Sequence, residues 1–459
     1  MKRLASLQIL LILGAATTAY VVLSEETGST LILIAVYCLV VAWRAKFELT
    51  HPSVWLIPFL YLYHFSVVIL NEVGDYRVYY SYEVLIIGWL TILTASLWIA
   101  AQAKSGGSHR PALSISAELP IRRGIARWAF WISLSACIIH NAIFFTSGVT
   151  AKAEWNQLGL SDYQFVYGGL LLSYAILLVT DIQGRGQVPW RLIGGMIVFT
   201  SIVLLNIGER DVLLRTILIT GFVLYLKFRP SVPVAVGLGS IAVAIIPLMG
   251  KVKNMLVSGR GIELVDDRGF VIGFLRGEFM SAGRNIDTIV SHNDSWTPFL
   301  GETFLWDATR SIVPAFVMKI DNSVSWFMKM FHPDILAIGQ GYGFSLAAEG
   351  YINFGYVGVI LVYCVVSWLI AWLYNRSYSG SLGMIVYVLA APLFVYATRG
   401  DMSSILSPLL KQILLPVSVM WFISYFLVRR SRGVSVLGRP SPADGAEGAC
   451  TIHAPMNQR

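Results

Sequence analysis

From Leu4 to Leu427 the chain alternates between long apolar windows and short polar turns. A helix needs about 20 apolar residues to cross a hydrocarbon core of about 30 Å, and windows of about 16 to 20 recur here. They fall at 4–23, 30–43, 54–70, 83–101, 128–146, 166–181, 192–207, 212–226, 232–250, 354–373, 381–397 and 408–427, the second being short. The pattern predicts an all-α, polytopic integral membrane protein with about 12 transmembrane helices and one large outer loop. The apolar runs are continuous rather than alternating, which excludes an outer-membrane barrel. The expected organisation is helices 1–9 over 1–250, the large loop with interfacial helices over 251–353, helices 10–12 over 354–428, and a disordered tail over 429–459.

Two segments depart from simple crossings. Residues 312–331 interrupt apolar groups with Lys319, Asp321 and Lys329, which suits a segment lying at the membrane interface. The helical pattern from Phe344 to Tyr374 would be about 46 Å long, well beyond the hydrocarbon core, so its first ten residues are expected to project above or lie along the outer surface.

Composition supports the membrane assignment. Only 13% of residues are charged and 56% are hydrophobic, with a mean hydropathy of +0.67, against about 25% charged in soluble proteins. Met1-Lys2-Arg3 before the first run resembles a secretory leader, but with no soluble domain following it an uncleaved signal anchor is expected. The net charge of +8 is accounted for by orientation rather than nucleic acid. With the amino terminus inside, inner segments hold nineteen Lys and Arg, and the short outer loops hold four: Arg77, Lys152, Arg210 and Arg399. Both termini are therefore expected in the cytoplasm. Cys38, Cys137 and Cys364 lie in apolar runs and Cys450 in the polar tail, which offers no plausible disulfide.

The candidate chemistry maps to the outer face. Gly208-Glu209-Arg210-Asp211 and Thr398-Arg399-Gly400-Asp401 each place an arginine in a tight outer turn, against the orientation preference. Arg215 lies one helical turn into the eighth crossing, where an ionisable group costs about 2.5–3.5 kcal/mol at the helix centre and faces a partner or a cavity. Guanidinium suits phosphate oxygens through its fixed fork of donors. Internal ion pairs with Glu209, Asp211 or Asp401 are the bland alternative. The large loop adds Arg260, Arg268, Arg276, Arg284 and Arg310, which are solvated loop charges singly and a grip for a sugar diphosphate as a set.

Glu349 stands on the helix leaving that loop, followed by Tyr351, Asn353 and the small residues Gly355 and Gly358. Partial desolvation there would suit it to accept a proton near neutral pH; pairing with an arginine is the alternative. His292 and His332 are further candidate bases, whereas His64 and His140 fit packed polar residues within crossings. No Asp-x-Asp, His-Glu-x-x-His, Walker loop or dinucleotide fingerprint occurs, so no metal and no other cofactor is expected.

Three marks resemble the Wzy-type polymerases of lipid-linked oligosaccharide repeat units: the turn Gly208-Glu209-Arg210-Asp211, the large late outer loop, and Ser345-Leu346-Ala347-Ala348-Glu349-Gly350-Tyr351-Ile352-Asn353-Phe354-Gly355 leaving it. The turn Thr398-Arg399-Gly400-Asp401 is similar too, and the resemblance covers roughly 1–430. It implies a GT-C-like, metal-independent glycosyltransferase that builds O-antigen or exopolysaccharide at the periplasmic face of the bacterial inner membrane. Donor and acceptor would both ride on undecaprenyl diphosphate in membrane lipid, with a chain-length regulator as a further partner and no nucleic acid. Glu349, Arg210 and Arg399 would be catalytic; Arg215, Arg276, Arg284, Arg310, Tyr351 and Asn353 would bind diphosphate or sugar. O-antigen ligases place histidine with asparagine after the large loop, where this chain has Phe344-Ser345. That departure argues against a ligase and leaves the identity of a base open. A lipid-linked oligosaccharide flippase is the rival from another class, for which internal repeats and midplane charges would be expected.

Overall fold

The computed structural model describes residues 2–24, 26–74, 80–104, 121–147, 165–207, 210–234, 237, 239, 270–313, 317–318, 320–337 and 341–436. The described residues are helical, with no strand among them. The first eight helices are α1 Lys2–Leu23, α2 Thr27–Arg44, α3 Pro52–Glu72, α4 Tyr82–Gln102, α5 Arg123–Thr146, α6 Phe165–Arg185, α7 Trp190–Ile207 and α8 Arg210–Phe228. Short helices follow: α9 Phe270–Phe274, α10 Met280–Ser291, α11 Glu302–Ile312, α12 Ser323–Phe331 and α13 Pro333–Ala337. The chain then runs through α14 Leu346–Arg376, α15 Ser381–Ala397, α16 Ser403–Pro408 and α17 Leu415–Val436. One-turn π-helices at Leu275–Phe279 and Leu409–Leu414 join α9 to α10 and α16 to α17.

Eleven of the twelve expected windows coincide with helices, and the twelfth, 232–250, lies almost wholly outside the described residues. By length and apolarity seven described helices can cross a membrane: α2, α3, α4, α5, Val166–Arg185 of α6, α14, and Ser403–Leu427. Leu7–Leu23, Trp190–Asn206 and Ser381–Ala397 are shorter apolar helices, and α8 is interrupted by Arg210, Asp211, Arg215 and Lys227. The tail from 437, the arginines Arg260 and Arg268, and Gly208-Glu209 lie outside the described residues, as does the side chain of Arg210.

The centre of the bundle is α4, flanked by α3 and α14, while α5 and α6 pair and α6 leans on α8 and α15. The peripheral helix α5 turns Trp128, Trp131, Ile132 and Phe145 outward, as a helix facing lipid does.

The pattern from Phe344 to Tyr374 is not one straight rod. At Phe354 (φ −141°, ψ 27°) and Gly355 (φ 59°, ψ −144°) the helical geometry breaks, and Leu346–Asn353 bends back against the turn that follows. The backbones of Gly350 and Gly358 touch there: a Cβ on Gly350 would lie 2.7 Å from the Gly358 carbonyl oxygen. Gly355 supplies the left-handed φ and the other two supply the close approach. The expected interfacial stretch 312–331 is likewise divided, because α11 ends at Ile312 and α12 begins at Ser323, capped by Asn322, whose side chain accepts from Ser325 N–H.

Gly358→Ala must push two backbones apart and should cost about 3 kcal/mol or more, read as a lower melting temperature of the detergent-purified protein. Gly194→Ala, where no heavy atom lies within 4 Å of the added Cβ, should stay within about 0.5 kcal/mol.

Candidate functional site

Three carboxylates meet inside the protein where the loop helices pack on the turn between α15 and α16. Asp307, Glu349 and Asp401 are 0%, 0% and 1% exposed. Each arrives for a local reason. Glu349 lies in the first turn of α14, which Ser345 starts by accepting from Ala348 N–H, and α14 orients it inward. Asp307 lies on the stripe Thr303, Asp307, Ser311, spaced by four and so on one face of α11. Asp401 starts α16, accepting at Oδ1 from Ser404 N–H at 3.0 Å, Ser403 Oγ–H at 2.7 Å and Ser404 Oγ–H at 2.9 Å.

The donors on Glu349 come from three separate segments. Thr303 and Ser323 hydroxyls donate to Oε1 at 3.1 and 3.0 Å, and Met402 N–H donates to Oε2 at 2.7 Å. Ser403 N–H donates to Asp307 Oδ2 at 2.8 Å, and Asn322 donates to Asp401 Oδ2. Asn353 continues the network: its amide donates to Thr303 Oγ1 at 2.6 Å and to the Glu349 carbonyl at 2.8 Å, and its Oδ1 accepts from Gly301 N–H at 2.8 Å. Phe344 N–H donates to the Arg399 carbonyl at 2.9 Å, and Gly343, at φ 73°, lets that carbonyl approach where a Cβ would meet it at 2.8 Å. The backbone that follows Arg399 is thereby fixed from its carbonyl to Ser403. Burial first, then the negative charge of Glu349 and Asp401, pushes the Asp307 carboxyl well above the usual range.

Of the expected arginines, Arg215 and Arg399 both act on Asp211, the first as an ion pair and the second at longer electrostatic range. Arg215 pairs with Asp211 at 2.7 Å, one turn back on α8, and donates to Gln412 Oε1 at 3.0 Å in the second π turn. The same Asp211 stands within electrostatic reach of Arg399, as do Tyr63 and Tyr396. The Arg399 guanidinium lies 5.2 Å from the Tyr396 ring centre, a cation–π distance. Arg210 begins α8, immediately before Asp211.

The other expected residues are dispersed. Arg276 sits half-buried in the first π turn. Arg284 is exposed and faces Asp287 and His332. Arg310 is exposed at the end of α11, where Lys411 donates to its carbonyl at 2.7 Å. Tyr351 is half-buried and edge-on to Trp296 and Tyr356. His292 Nδ1 bonds the Thr288 carbonyl, and His332 packs against Tyr342. His64 and His140 are buried, on the Leu60 carbonyl and the Tyr167 hydroxyl respectively. Sequence reasoning missed Asp307, Thr303 and Ser323, and took Asp401 only as the neighbour of Arg399. The polar stripe Thr303-Asp307-Ser311 amid apolar residues was the available signal.

Apolar helices of membrane-crossing length, with short polar helices gathered over one arginine-bearing turn, define a polytopic membrane protein. Residues 316–430 match the family described as O-antigen polysaccharide polymerase Wzy, which supports a Wzy-type polymerase. That segment holds Ser323, Glu349, Arg399 and Asp401. No curated protein and no solved structure matches the chain.

Glu349→Gln sets an amide NH2 against Met402 N–H or against the two hydroxyls, and should destabilise the protein by about 1–3 kcal/mol. Combined with Asp401→Asn the losses should fall short of additive by at least about 0.5 kcal/mol, as a double-mutant cycle of melting temperatures would show.

Proposed function

We propose that the protein joins undecaprenyl-diphosphate-linked oligosaccharide repeats into O-antigen or a related polysaccharide at the periplasmic face of the bacterial inner membrane. The family match supports O-antigen polymerisation in general. The excess of nineteen inner over four outer Lys and Arg supports cytoplasmic termini and an outer site. Twelve crossings, a GT-C-like arrangement and independence from metal belong to the same reading.

In this reading a hydroxyl of the incoming repeat attacks the anomeric carbon of the growing chain. The new carbon–oxygen bond forms as the bond to the diphosphate oxygen breaks, its electrons leave with undecaprenyl diphosphate, and the hydroxyl proton ends on the departing phosphate. The developing charge is met by Arg399 and Arg215, with Arg210, at the start of α8, a further candidate, and this electrostatic stabilisation is the main contribution of the site. Arg276, Arg284 and Arg310 are candidates for outer contacts to sugar or phosphate. Glu349 is closed off by its three donors, so its part is to hold the 399–402 turn rather than to touch the substrate. Asn353 and Tyr351 tie and pack the entrance of α14.

The observation that carries this reading is the convergence of Arg215 and Arg399 on Asp211 beside the anchored turn, inside or next to the matched segment. Arg399→Ala at normal expression should cut polymerisation about 100-fold or more, and Arg399→Lys should rescue it poorly because lysine lacks the planar fork. Cells should then carry single-repeat caps on a polysaccharide gel. Polymer accumulating on undecaprenyl diphosphate would indicate a ligase, repeats trapped inside a flippase, and an unaltered ladder would remove Arg399 from the site.

A further inference from the structure

The helix α11 is built inside out. It buries Thr303, Asp307 and Ser311 at 0%, 0% and 1% exposure while Leu305 and Ile312 stand 68% and 73% exposed. Burying polar groups costs free energy unless they are bonded, so each inward group needs a partner. Thr303 finds Glu349, and Ser311 donates to the Asp307 carbonyl at 2.6 Å. Asp307 is different. Its Oδ2 accepts from Ser403 N–H, but no backbone or side-chain donor reaches Oδ1, which is buried. The side chain it meets is the carboxyl of Glu349.

Two carboxyl groups in contact, both buried, cannot both stay ionised without a cation between them. Among the described residues neither Asp307, Glu349 nor Asp401 takes part in an ion pair. The distribution of donors says which one keeps a proton. Glu349 receives three hydrogen bonds and Asp401 four, and donors of that kind stabilise a charged carboxylate. Asp307 receives one. A hydrogen carried by Asp307 and shared with Glu349 satisfies both groups.

We propose that Asp307 works as a carboxylic acid, donating its hydrogen to Glu349, and that this acid–carboxylate pair positions the Arg399 turn through the Met402 and Ser403 amides. Asp307 is a positioning residue. Its bearing on polymer synthesis rests on the function proposed above; its protonation does not.

The pair gives the site an alkaline limit. Because the carboxyl is pushed upward by burial and by its two acidic neighbours, its stabilising contribution is complete below the ordinary carboxylate range. It is lost as pH rises from there through the elevated value. The charges around it give no relief. Glu349 on α14 and Asp401 before α16 are both acidic. Asp321 and Lys329, flanking and on α12, pair with each other at 2.9 Å in solvent, and Lys411 is spent on the Arg310 and Val313 carbonyls.

The test uses purified full-length protein in detergent, with infrared spectra taken across pH and polymer formation measured on a synthetic lipid-linked repeat. Wild type should show a protonated-carboxyl C=O band at neutral pH that Asp307→Asn abolishes. Asp307→Asn keeps shape and donor, so it should retain polymer synthesis within about threefold at neutral pH and extend it to higher pH, whereas Asp307→Ala should lose about 100-fold through misplacement of the turn. A band that survives in Asp307→Asn, or an alkaline limb that does not move, would overturn the proposal, and the infrared result stands even if Asp307→Ala does not fold. A band that disappears in a protein inactive on every lipid-linked repeat would leave the shared proton in place and remove the polymerase reading instead.

Discussion

Carboxylates removed from water must be matched by donors, and around Asp307, Glu349 and Asp401 that requirement organises the packing of the short helices on the turn between α15 and α16. The donors are drawn from α11, the start of α12, and the turn between α15 and α16, segments up to about a hundred residues apart in the chain. Ser403 N–H is the one described donor on Asp307 Oδ2, and its loss would orphan a buried oxygen at about 1–3 kcal/mol, whereas Thr303 and Ser323 share Glu349 Oε1. In a membrane protein, where lipid tails solvate apolar helices as well as other helices do, such polar bonds carry more of the specificity than they would in a soluble core. The backbone just after the Arg399 side chain is held at two points, its own carbonyl, bonded by Phe344 N–H, and the Met402 amide, bonded by Glu349.

That arrangement separates holding from binding. The carboxyl pocket is buried, whereas Arg215 pairs with Asp211, which is 32% exposed at its side chain, and Arg399 lies within electrostatic reach of the same carboxylate. In the proposed reaction a diphosphate would compete with Asp211 for these guanidiniums, since it offers more acceptor oxygens than one carboxylate does. In that reading preorganisation is the physical advantage: a fork placed before substrate arrives leaves little reorganisation at the moment of bond cleavage.

The helical architecture was readable because uninterrupted apolar windows admit few other outcomes; windows such as 54–70, 83–101 and 381–397 fall on α3, α4 and α15 nearly residue for residue. The break in α14 was hidden, since hydropathy stays high through Phe354-Gly355 and the glycines read equally well as close packing. Arg215, Arg399 and Glu349 stood out as charges in apolar surroundings. What sequence could not convey was direction: whether Glu349 faces substrate or protein depends on Thr303 and Ser323, which only the tertiary fold brings to it. Asp307 went unnoticed because its stripe faces inward on a helix whose apolar face is outward, the reverse of the usual reading.

Amide hydrogen exchange in the 400–405 segment of the full-length protein tests most directly whether the buried carboxyl pocket holds the arginine turn. In the wild type the Met402, Ser403 and Ser404 amides should exchange slowly, and in Glu349→Gln they should exchange at least about tenfold faster while the helix Trp190–Ile207 is unchanged. Equal protection of that turn in both proteins would contradict the account.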